Sequence, residues 1–419
     1  MNRREFLQLA AVAATLGPVR AFADATLDPW TPGTLDIHHL AYGRGNSTFL
    51  LAPDGTTLLI DAGTTEDALD ISCAQRPNTS LRPGEWIAAY ALRHMQPAGR
   101  RELDYALITH IHPDHLGDLG PENPSSPKGN YRLTGITDVD ARLPIRTLID
   151  RGFPDYRYPQ PQQAPFALNY INYVRSRQQR GESTQQIQPG SASQIRLTRK
   201  PSSFPTFEVR NLAANGEVWV PDPHGTGNQT RSLFPKLTTL ASADYPTENM
   251  CSIALRLGYG NFRYFTAGDL TSDTEESRES WRDVETPVAR AAGPVDVAVA
   301  DHHAFFDAVA PDAVRALQPR VWVIPSWYVG HPSIGPLRRM LSRQLYPGDR
   351  DVYATCVMQA NRLVNQLFMG KLRSLEGHII VRVAPGGDSF RVIVTDNTDD
   401  QDRIKMIAGP FPCPPKRSA

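Results

Sequence analysis

The chain has 419 residues, in which 44 Lys+Arg balance 44 Asp+Glu to a formal net charge of +0. Hydrophobic residues make up 40% of the chain, which is enough for a packed core and excludes wholesale disorder. The balanced charge removes a whole-protein electrostatic argument for binding nucleic acid or an anionic membrane. The 4 cysteines are far too few for a disulfide scaffold of this length. The length allows up to about three domains.

Residues 1–23 have the three parts of an export signal. Two arginines at positions 3 and 4 precede a mostly apolar run over 7–19, and Ala-Phe-Ala at 21–23 supplies the small residues of a cleavage site. The Arg-Arg-x-Phe-Leu start resembles a twin-arginine signal, which the twin-arginine export machinery reads. The apolar run is short of the roughly 20 residues that a spanning helix needs, so a membrane anchor is the weaker alternative. We therefore expect a periplasmic or secreted protein without a membrane segment after cleavage.

Cleavage of the signal would change the net charge, and export would change whether the cysteines can form disulfides. Without residues 1–23, which hold three arginines and one glutamate, 41 Lys+Arg would face 43 Asp+Glu, a net charge of −2. Export also makes disulfide bonds permissible. The cysteines at 73, 251, 356 and 413 allow three full pairings, and the sequence does not choose among them. Buried free thiols are an equally good interpretation.

Short β-branched and apolar runs alternate with helical segments along the chain. The predicted strands are 34–40, 48–52, 57–61, 105–109, 207–213, 252–257, 262–267, 295–300, 321–324, 378–383 and 390–394. The predicted helices are 82–95, 166–177, 311–317 and 334–345.

Early and late groups of strands with helices between them predict an α/β fold. Two mixed sheets would pack between helices as an αββα sandwich over residues 34–400. Residues 150–190 are rich in Pro, Gln, Tyr and Arg and are expected to form an insertion or a lid. Residues 401–419 are expected to form a C-terminal tail.

The clearest chemical pattern is the run HIHPDH at 110–115, directly after the predicted strand 105–109. It places four potential metal ligands within six residues. Neutral imidazole nitrogen and carboxylate oxygen are what Zn²⁺ and similar ions bind. A strand end followed by a loop would hold these ligands and leave coordination positions open for water and substrate. The run therefore predicts a metal site, with a solvated histidine-rich loop or a structural site as the alternative.

This run resembles the HxHxDH hallmark of the metallo-β-lactamase superfamily. The LIDAG segment at 59–63 and the TAGD segment at 266–269 resemble two further motifs of that superfamily. Within it, the chain is most similar to the hydrolase domain of the competence protein ComEC. Four segments carry that similarity in family order: GRGNS at 43–47, ENMCS at 248–252, DHH at 301–303 and GHPS at 330–333.

The resemblance implies a site with one or two Zn²⁺ ions, with Mn²⁺ or Fe as alternatives. The implied metal ligands are His110, His112, Asp114, His115, Asp269 and His302. The two histidines His110 and His112 would hold the first ion, while Asp114 and His115 would hold the second, with Asp269 bridging the two ions.

Late histidines are implied to complete the site. We favour His302 for the second ion because it follows a predicted strand. His303 and His331 are the alternative ligands, and otherwise donate a proton to the leaving group. Asp114 is implied to orient the nucleophile as well, and Asp61 to hydrogen-bond a ligand.

The chain departs from the superfamily pattern in one important place. The usual histidine between the HxHxDH run and the later Gly-Asp is not evident, because His224 is the single histidine there and lies in a predicted loop. Asn249 or Ser252 lies nearer the expected position. One metal and two metals therefore both stay open.

The resemblance implies an exported metal-dependent hydrolase in which metal-bound hydroxide attacks an ester-type bond, with phosphodiesters among the substrates. A β-lactamase or lactonase is one alternative, and an exported metal-binding protein without catalysis is another. The expected partner is a small-molecule or phosphoester substrate. Nucleic acid is a further candidate that the charge does not support.

Overall fold

The computed structural model describes residues 25–66, 70–222, 227–274 and 279–415. The predicted export signal and His224 lie outside these residues. In chain order the strands are β1 (Leu35–His39), β2 (Thr48–Leu51), β3 (Thr57–Ile60), β4 (Leu103–Leu107), β5 (Ile145–Asp150), β6 (Ser183–Gln186), β7 (Glu208–Ala214), β8 (Glu217–Trp219), β9 (Thr230–Ser232), β10 (Ala254–Tyr259), β11 (Phe262–Thr266), β12 (Val297–Val299), β13 (Val321–Ile324), β14 (Asp351–Ala354), β15 (His378–Val383), β16 (Ser389–Thr395) and β17 (Ile404–Pro412).

The α-helices of these described ranges lie between the strands. They are α1 (Pro83–Met95), α2 (Pro113–Leu116), α3 (Ile136–Arg142), α4 (Pro165–Gln179), α5 (Glu285–Ala292), α6 (Pro311–Leu317), α7 (Ile334–Met340), α8 (Gln359–Val364) and α9 (Gln366–Met369). Proline occupies the first turn of α1, α4 and α6, where its missing N–H costs no intrahelical bond. Within the described part of the chain, no helix has both the length and the hydrophobicity to cross a membrane.

The strands form two mixed sheets. The first has the order β17-β16-β15-β1-β2-β3-β4-β5-β6, and the second has the order β14-β13-β12-β11-β10-β7-β8-β9. Strands β3 to β6 run parallel, as do β11 to β14, whereas the remaining neighbours are antiparallel. Each sheet therefore presents a group of parallel carboxyl ends at one edge, which is where α/β proteins place their sites.

Three hydrophobic clusters define the layers. The cluster between the sheets joins Ile37 and Leu107 of the first sheet to Leu255 and Val323 of the second. A second cluster packs α1, α3 and α4 on the outer face of the first sheet. A third packs α5, α6 and α7 on the outer face of the second sheet. The predicted αββα sandwich is confirmed.

The structure differs from the sequence-based expectations at both sheet edges. Residues 404–412, expected in a tail, form β17, whose residues are half-buried or exposed, and pair with β16. The expected insertion over 150–190 contributes α4 to a core and β6 to the sheet edge. Helix α7 ends at Met340, five residues before the expected end. The sequence pattern did not reveal these two strands, because an edge strand pairs on one side only and is less buried than a central strand.

Of the pairings that the sequence leaves open, the fold forms a disulfide between Cys73 and Cys356, which are 283 residues apart. Cys251 is buried outside this bond. The disulfide lies beside the loop after β13, because the backbone N–H of Cys73 donates to the carbonyl of Trp327 at 2.7 Å. It thus ties two distant segments together next to the carboxyl end of the second sheet.

Candidate metal centre

The predicted site residues lie where parallel strands end. Asp61 follows β3, the HIHPDH run follows β4, Asp269 follows β11, His302 and His303 follow β12, and His331 lies in the loop after β13. Because these strand ends face each other across the sandwich, residues far apart in sequence meet at one edge. The first sheet contributes the early motif and the second sheet contributes the late motifs.

Four buried side chains form the tightest group. Asp114, His115, Asp269 and His303 each offer one ligand atom, and these atoms all lie within 4.8 Å of one another. His303 Nε2 lies 3.0 Å from Asp114 Oδ2 and 3.4 Å from Asp269 Oδ2. Two imidazoles and two carboxylates are a donor set that suits Zn²⁺, Mn²⁺ or Fe. The residues present therefore fit a transition-metal ion.

His115 provides a direct test of that fit. Its Nδ1 lies 2.8 Å from Asp61 Oδ2, and since a carboxylate only accepts, Nδ1 carries the proton. Its Nε2 is buried and has no hydrogen-bond partner among the described residues, although carboxylate oxygens of Asp269 and Asp114 lie 3.2 and 3.5 Å away. A neutral ring would turn its lone pair towards two anions. A cation between these atoms removes that conflict.

The electrostatics of the group also favour positive charge. Burial raises the pKa of Asp269, but His115 and His303 outweigh burial and hold that pKa well below its ordinary value. Burial lowers the pKa of His115, and the charges of Asp269, Asp114 and Asp61 overcome it and raise that pKa well above normal. The carboxylates are thus ionised, and they favour positive charge on the two rings or on an ion bound between them.

The other two histidines of the HIHPDH run lie on one side of this group. His110 Nε2 lies 3.0 Å from His112 Nδ1 and 3.8 Å from Asp269 Oδ2. His110 is fully buried, and its Nδ1 contacts Thr109 Oγ1 at 3.2 Å. Asp269 is therefore the member of the tighter group that also approaches His110.

The late histidines take different positions from those the sequence favours. We expected His302 among the ligands of the second ion and His303 as a replacement or proton donor. The tight group instead contains His303, whose Nδ1 lies 2.8 Å from the carbonyl of Pro325. His302 Nε2 lies farther from the same carboxylate, 3.9 Å from Asp269 Oδ2, and its Nδ1 contacts Asp307 at 2.6 Å. Both histidines have left-handed backbone, which the residue pattern does not reveal.

His331 lies over the tight group without joining it. Its ring stacks on that of His303, with centroids 4.7 Å apart and an interplanar angle of 18°. The ring is buried, and its Nδ1 lacks a hydrogen-bond partner within the described ranges. His331 is thus close enough to act on a group bound at the centre.

Sequence reasoning missed the residues that anchor the HIHPDH loop from behind. Glu248 accepts a hydrogen bond from the backbone N–H of Ile111 at 2.7 Å. The same carboxylate pairs with the guanidinium of Arg151, which is 1% exposed. Glu248 begins the ENMCS segment, so the motif pointed to it, but nothing in the sequence paired it with an arginine from the expected insertion.

The LIDAG segment needs glycine at position 63 because the backbone of Asp114 packs against it. A Cβ at position 63 would lie 1.6 Å from the carbonyl oxygen of Asp114, which is an impossible distance. That same oxygen accepts the N–H of Asn46 at 2.7 Å. The early turn and the HIHPDH loop therefore pack backbone against backbone, which fixes the position of Asp114.

Comparison with known proteins agrees with this geometry. The sequence model of the metallo-beta-lactamase superfamily matches residues 41–121, which include Asp61 and the HIHPDH run. The match supports a metallo-β-lactamase superfamily domain in this part of the chain, and the αββα architecture is consistent with that fold. No curated protein matches the sequence.

Among solved structures, the chain is similar to CmlA, a diiron beta-hydroxylase from Streptomyces venezuelae. The two share 14% sequence identity with a TM-score of 0.37. The alignment covers 90% of this chain and 59% of that one, so this chain spans well under two thirds of the neighbour's length.

Proposed function

We propose that this protein is an exported metal-dependent hydrolase that cleaves an ester-type bond, with phosphodiesters as the first substrates to test. The observation that carries the proposal is the His115 Nε2 atom, which is buried against two carboxylates while Asp61 holds Nδ1. This arrangement favours positive charge at Nε2, from a proton or from a metal ion, and suits a ligand atom with an oriented ring. The superfamily match over residues 41–121 also supports a metal site at these residues.

Metal ions bound here would lower the pKa of a water molecule towards about 7 and stabilise negative charge on the reacting group. The chain's own residues would orient the reactants. Asp269 approaches His110 as well as His115, which supports its role as the bridging ligand. Asp114 is fixed by His303 and by the backbone around Gly63, which supports its role in orienting the nucleophile.

His331 is the better candidate for donating a proton to the leaving group. His303 has both ring nitrogens engaged, with the carbonyl of Pro325 and with Asp114. His331 has an unpaired Nδ1 within the described residues and stacks directly on His303. We therefore assign the metal role to His303 and propose His331 as the proton donor to be tested, although burial and the nearby His303 lower its pKa well below the ordinary value.

A polar cavity supports a polar substrate. A recess of about 490 Å³ lies between residues 159–163 and residues 242–248. Its wall includes Glu248, which also hydrogen-bonds the HIHPDH backbone at Ile111. This recess would hold the part of the substrate beyond the scissile bond, and its glutamines offer both donors and acceptors.

Export is supported by the disulfide between Cys73 and Cys356. Such bonds form and persist in oxidising compartments and are rare in the cytosol. The signal pattern in residues 1–23 is the reason to propose the twin-arginine route and a periplasmic or secreted location. Fusion of residues 1–30 to a reporter, with a Lys-Lys replacement of Arg3-Arg4 as the control, tests the route.

Metal removal and restoration test the activity. Purified protein would be dialysed against a chelator, reloaded with Zn²⁺, Mn²⁺ or Fe²⁺, and assayed on bis-p-nitrophenyl phosphate. We expect chelation to abolish hydrolysis and a metal to restore it, and we expect the His112→Ala/Asp114→Ala double variant to stay inactive. Full activity of the double variant contradicts the proposal. The same assay with nitrocefin and an acyl-homoserine lactone separates a phosphoesterase from a β-lactamase or a lactonase.

A metal-binding protein without catalysis is the second candidate. The observation that favours it is the lack of a histidine at the expected middle position, where Asn249 lies beside the site instead. Protein that binds metal tightly and hydrolyses none of the three substrates would support this candidate over the hydrolase.

A further inference from the structure

We infer that His302 takes the place of the absent middle histidine and completes the first metal site together with His110 and His112. This inference rests on the proposed function, because it requires that the centre binds metal. It also moves His302 away from the second ion, which Asp114, His115 and His303 would hold.

The positions of three histidines around one oxygen atom carry the inference. Asp269 Oδ2 lies 3.8 Å from His110 Nε2, 3.9 Å from His302 Nε2 and 3.4 Å from His303 Nε2. Two ligand atoms at about 2.1 Å from one tetrahedral ion lie about 3.4 Å apart. The oxygen is thus close to ligand-to-ligand distance from histidines on both of its sides.

An unusual backbone brings His302 and His303 to the same oxygen. Residues 302, 303 and 304 have φ values of 45°, 53° and 59°, a left-handed region that residues other than glycine rarely adopt. None is glycine, so this left-handed run is strained, and strain of this kind collects at functional sites.

The hydrogen bonds of His302 leave Nε2 as a ligand atom. Asp307 Oδ1 accepts the Nδ1 proton at 2.6 Å, which places the lone pair on Nε2. Asn249 Nδ2, which only donates, lies 3.2 Å from Nε2 and agrees with that tautomer. A carboxylate behind the ring and a lone pair in front of it is the arrangement that metal-binding histidines have.

Metal content of single and double variants tests the inference. Each protein would be loaded with Zn²⁺, dialysed and measured by inductively coupled plasma mass spectrometry. We expect two ions in the wild type, one in His302→Ala, one in His110→Ala, and still one in the His110→Ala/His302→Ala double variant, because both residues serve the same site. The His302→Ala/His303→Ala variant should hold almost none.

Controls separate loss of a ligand from loss of the fold. His331→Ala removes a neighbouring histidine and should keep two ions. Asp307→Asn keeps His302 but replaces the charged acceptor of the Nδ1 proton by a neutral amide, so the affinity of the first site should fall 10–100-fold while the second site is unchanged. Far-ultraviolet circular dichroism would show that each variant is folded.

Distinct results overturn the inference and the proposed function. Two ions in folded His302→Ala, or one ion in the wild type that His302→Ala retains, overturn the inference alone. Loss of both ions in the His110→Ala/His302→Ala variant overturns it as well and returns His302 to the second site. A wild-type protein that binds no ion overturns the proposed function itself.

Discussion

The Oδ2 atom of Asp61 lies 2.8 Å from Nδ1 of His115, and neither side chain is exposed to solvent. Asp61 has left-handed backbone (φ 60°) and also accepts the N–H and the hydroxyl of Thr109 at 2.8 Å each. One carboxylate thus orients His115 and the residue that begins the HIHPDH loop. Its strained position directly after β3 places it behind the candidate metal centre.

Replacement of Asp61 by Asn should weaken metal binding. The amide cannot accept from His115 Nδ1 and from Thr109 together, so the ring loses its orientation, and we expect metal affinity to fall about 10–100-fold. Competition with a chromophoric chelator measures the affinity. The matched control is Asp150→Asn, which changes a carboxylate that is equally buried at the end of β5 but contacts Tyr156 and Tyr170 instead. Equal affinities of wild type and Asp61→Asn would contradict the prediction.

Removal of His331 should reduce turnover and spare the metal. If His331 gives a proton to the leaving group, His331→Ala should lower kcat by about 10²–10⁴-fold, the usual contribution of a general acid. Metal content should stay at the wild-type value because the ring stacks on His303 and lies outside the tight group. Steady-state kinetics with metal analysis of the same sample checks both. An unchanged kcat would assign the proton to another donor.

Breaking the pair between Arg151 and Glu248 should destabilise the fold. Arg151→Met leaves the Glu248 carboxylate largely buried without its cation, and we expect a loss of about 3–5 kcal/mol in the free energy of unfolding. The Arg151→Met/Glu248→Gln double variant should recover part of that loss, because it removes the unpaired charge. Urea denaturation of the wild type and the two variants measures the free energy of unfolding of each. Equal stability of Arg151→Met and wild type would show that the pair contributes nothing.

Loss of the disulfide should loosen the loop that carries His331. The N–H of Val329 donates to the carbonyl of Ile71 at 2.8 Å, and Ile71 lies two residues from Cys73. The disulfide therefore anchors the two segments that make this contact. We expect Cys73→Ser to cost about 2–5 kcal/mol of stability and to lower kcat. Thermal unfolding with and without reductant tests this, because the Tm of Cys73→Ser should not respond to reductant. Cys251→Ala is the control, since it keeps the disulfide and its Tm should respond as that of the wild type does. A Cys73→Ser protein with wild-type Tm would contradict it.

Stability should fall as the pH drops below about 6.5. Burial lowers the pKa of His378 to about 3, and its Nδ1 accepts the N–H of Ala41 at 2.9 Å, which a protonated ring cannot do. Between pH 6.5 and pH 3 the unfolded chain binds this proton and the folded chain does not, so stability is complete above 6.5 and is lost towards 3. The slope is about 1.4 kcal/mol per pH unit, or roughly 2 kcal/mol at pH 5.

The variant His378→Asn isolates this effect. The amide oxygen can accept from Ala41 but does not titrate, so the difference in urea midpoint between pH 7.5 and pH 5 should be smaller than in the wild type. His39, whose pKa burial also lowers to about 3, remains in both proteins and contributes the same slope to each. Identical pH dependence of the two proteins would refute the assignment to His378.

Much of the centre could be read from local patterns. The HIHPDH run follows a buried strand, and Asp61 and Asp269 each lie one to three residues beyond another strand, as the periodicity predicts. Such residues meet because parallel carboxyl ends share an edge. The choice between His302 and His303 stays a prediction at this level, because it depends on φ angles that three non-glycine residues adopt only under tertiary constraint.

By itself the sequence determined the αββα class and the strand ends that carry the candidate ligands, because both follow from periodicity and motif spacing over short distances. The need for glycine at position 63 comes from a tertiary contact with the carbonyl of Asp114. Only the tertiary structure decided that Cys73 pairs with Cys356, that Arg151 supports Glu248 behind the HIHPDH loop, and that His303 rather than His302 joins Asp114 and His115. These contacts join residues 97 to 283 positions apart, and burial of charge and chain packing select them, which no local pattern records.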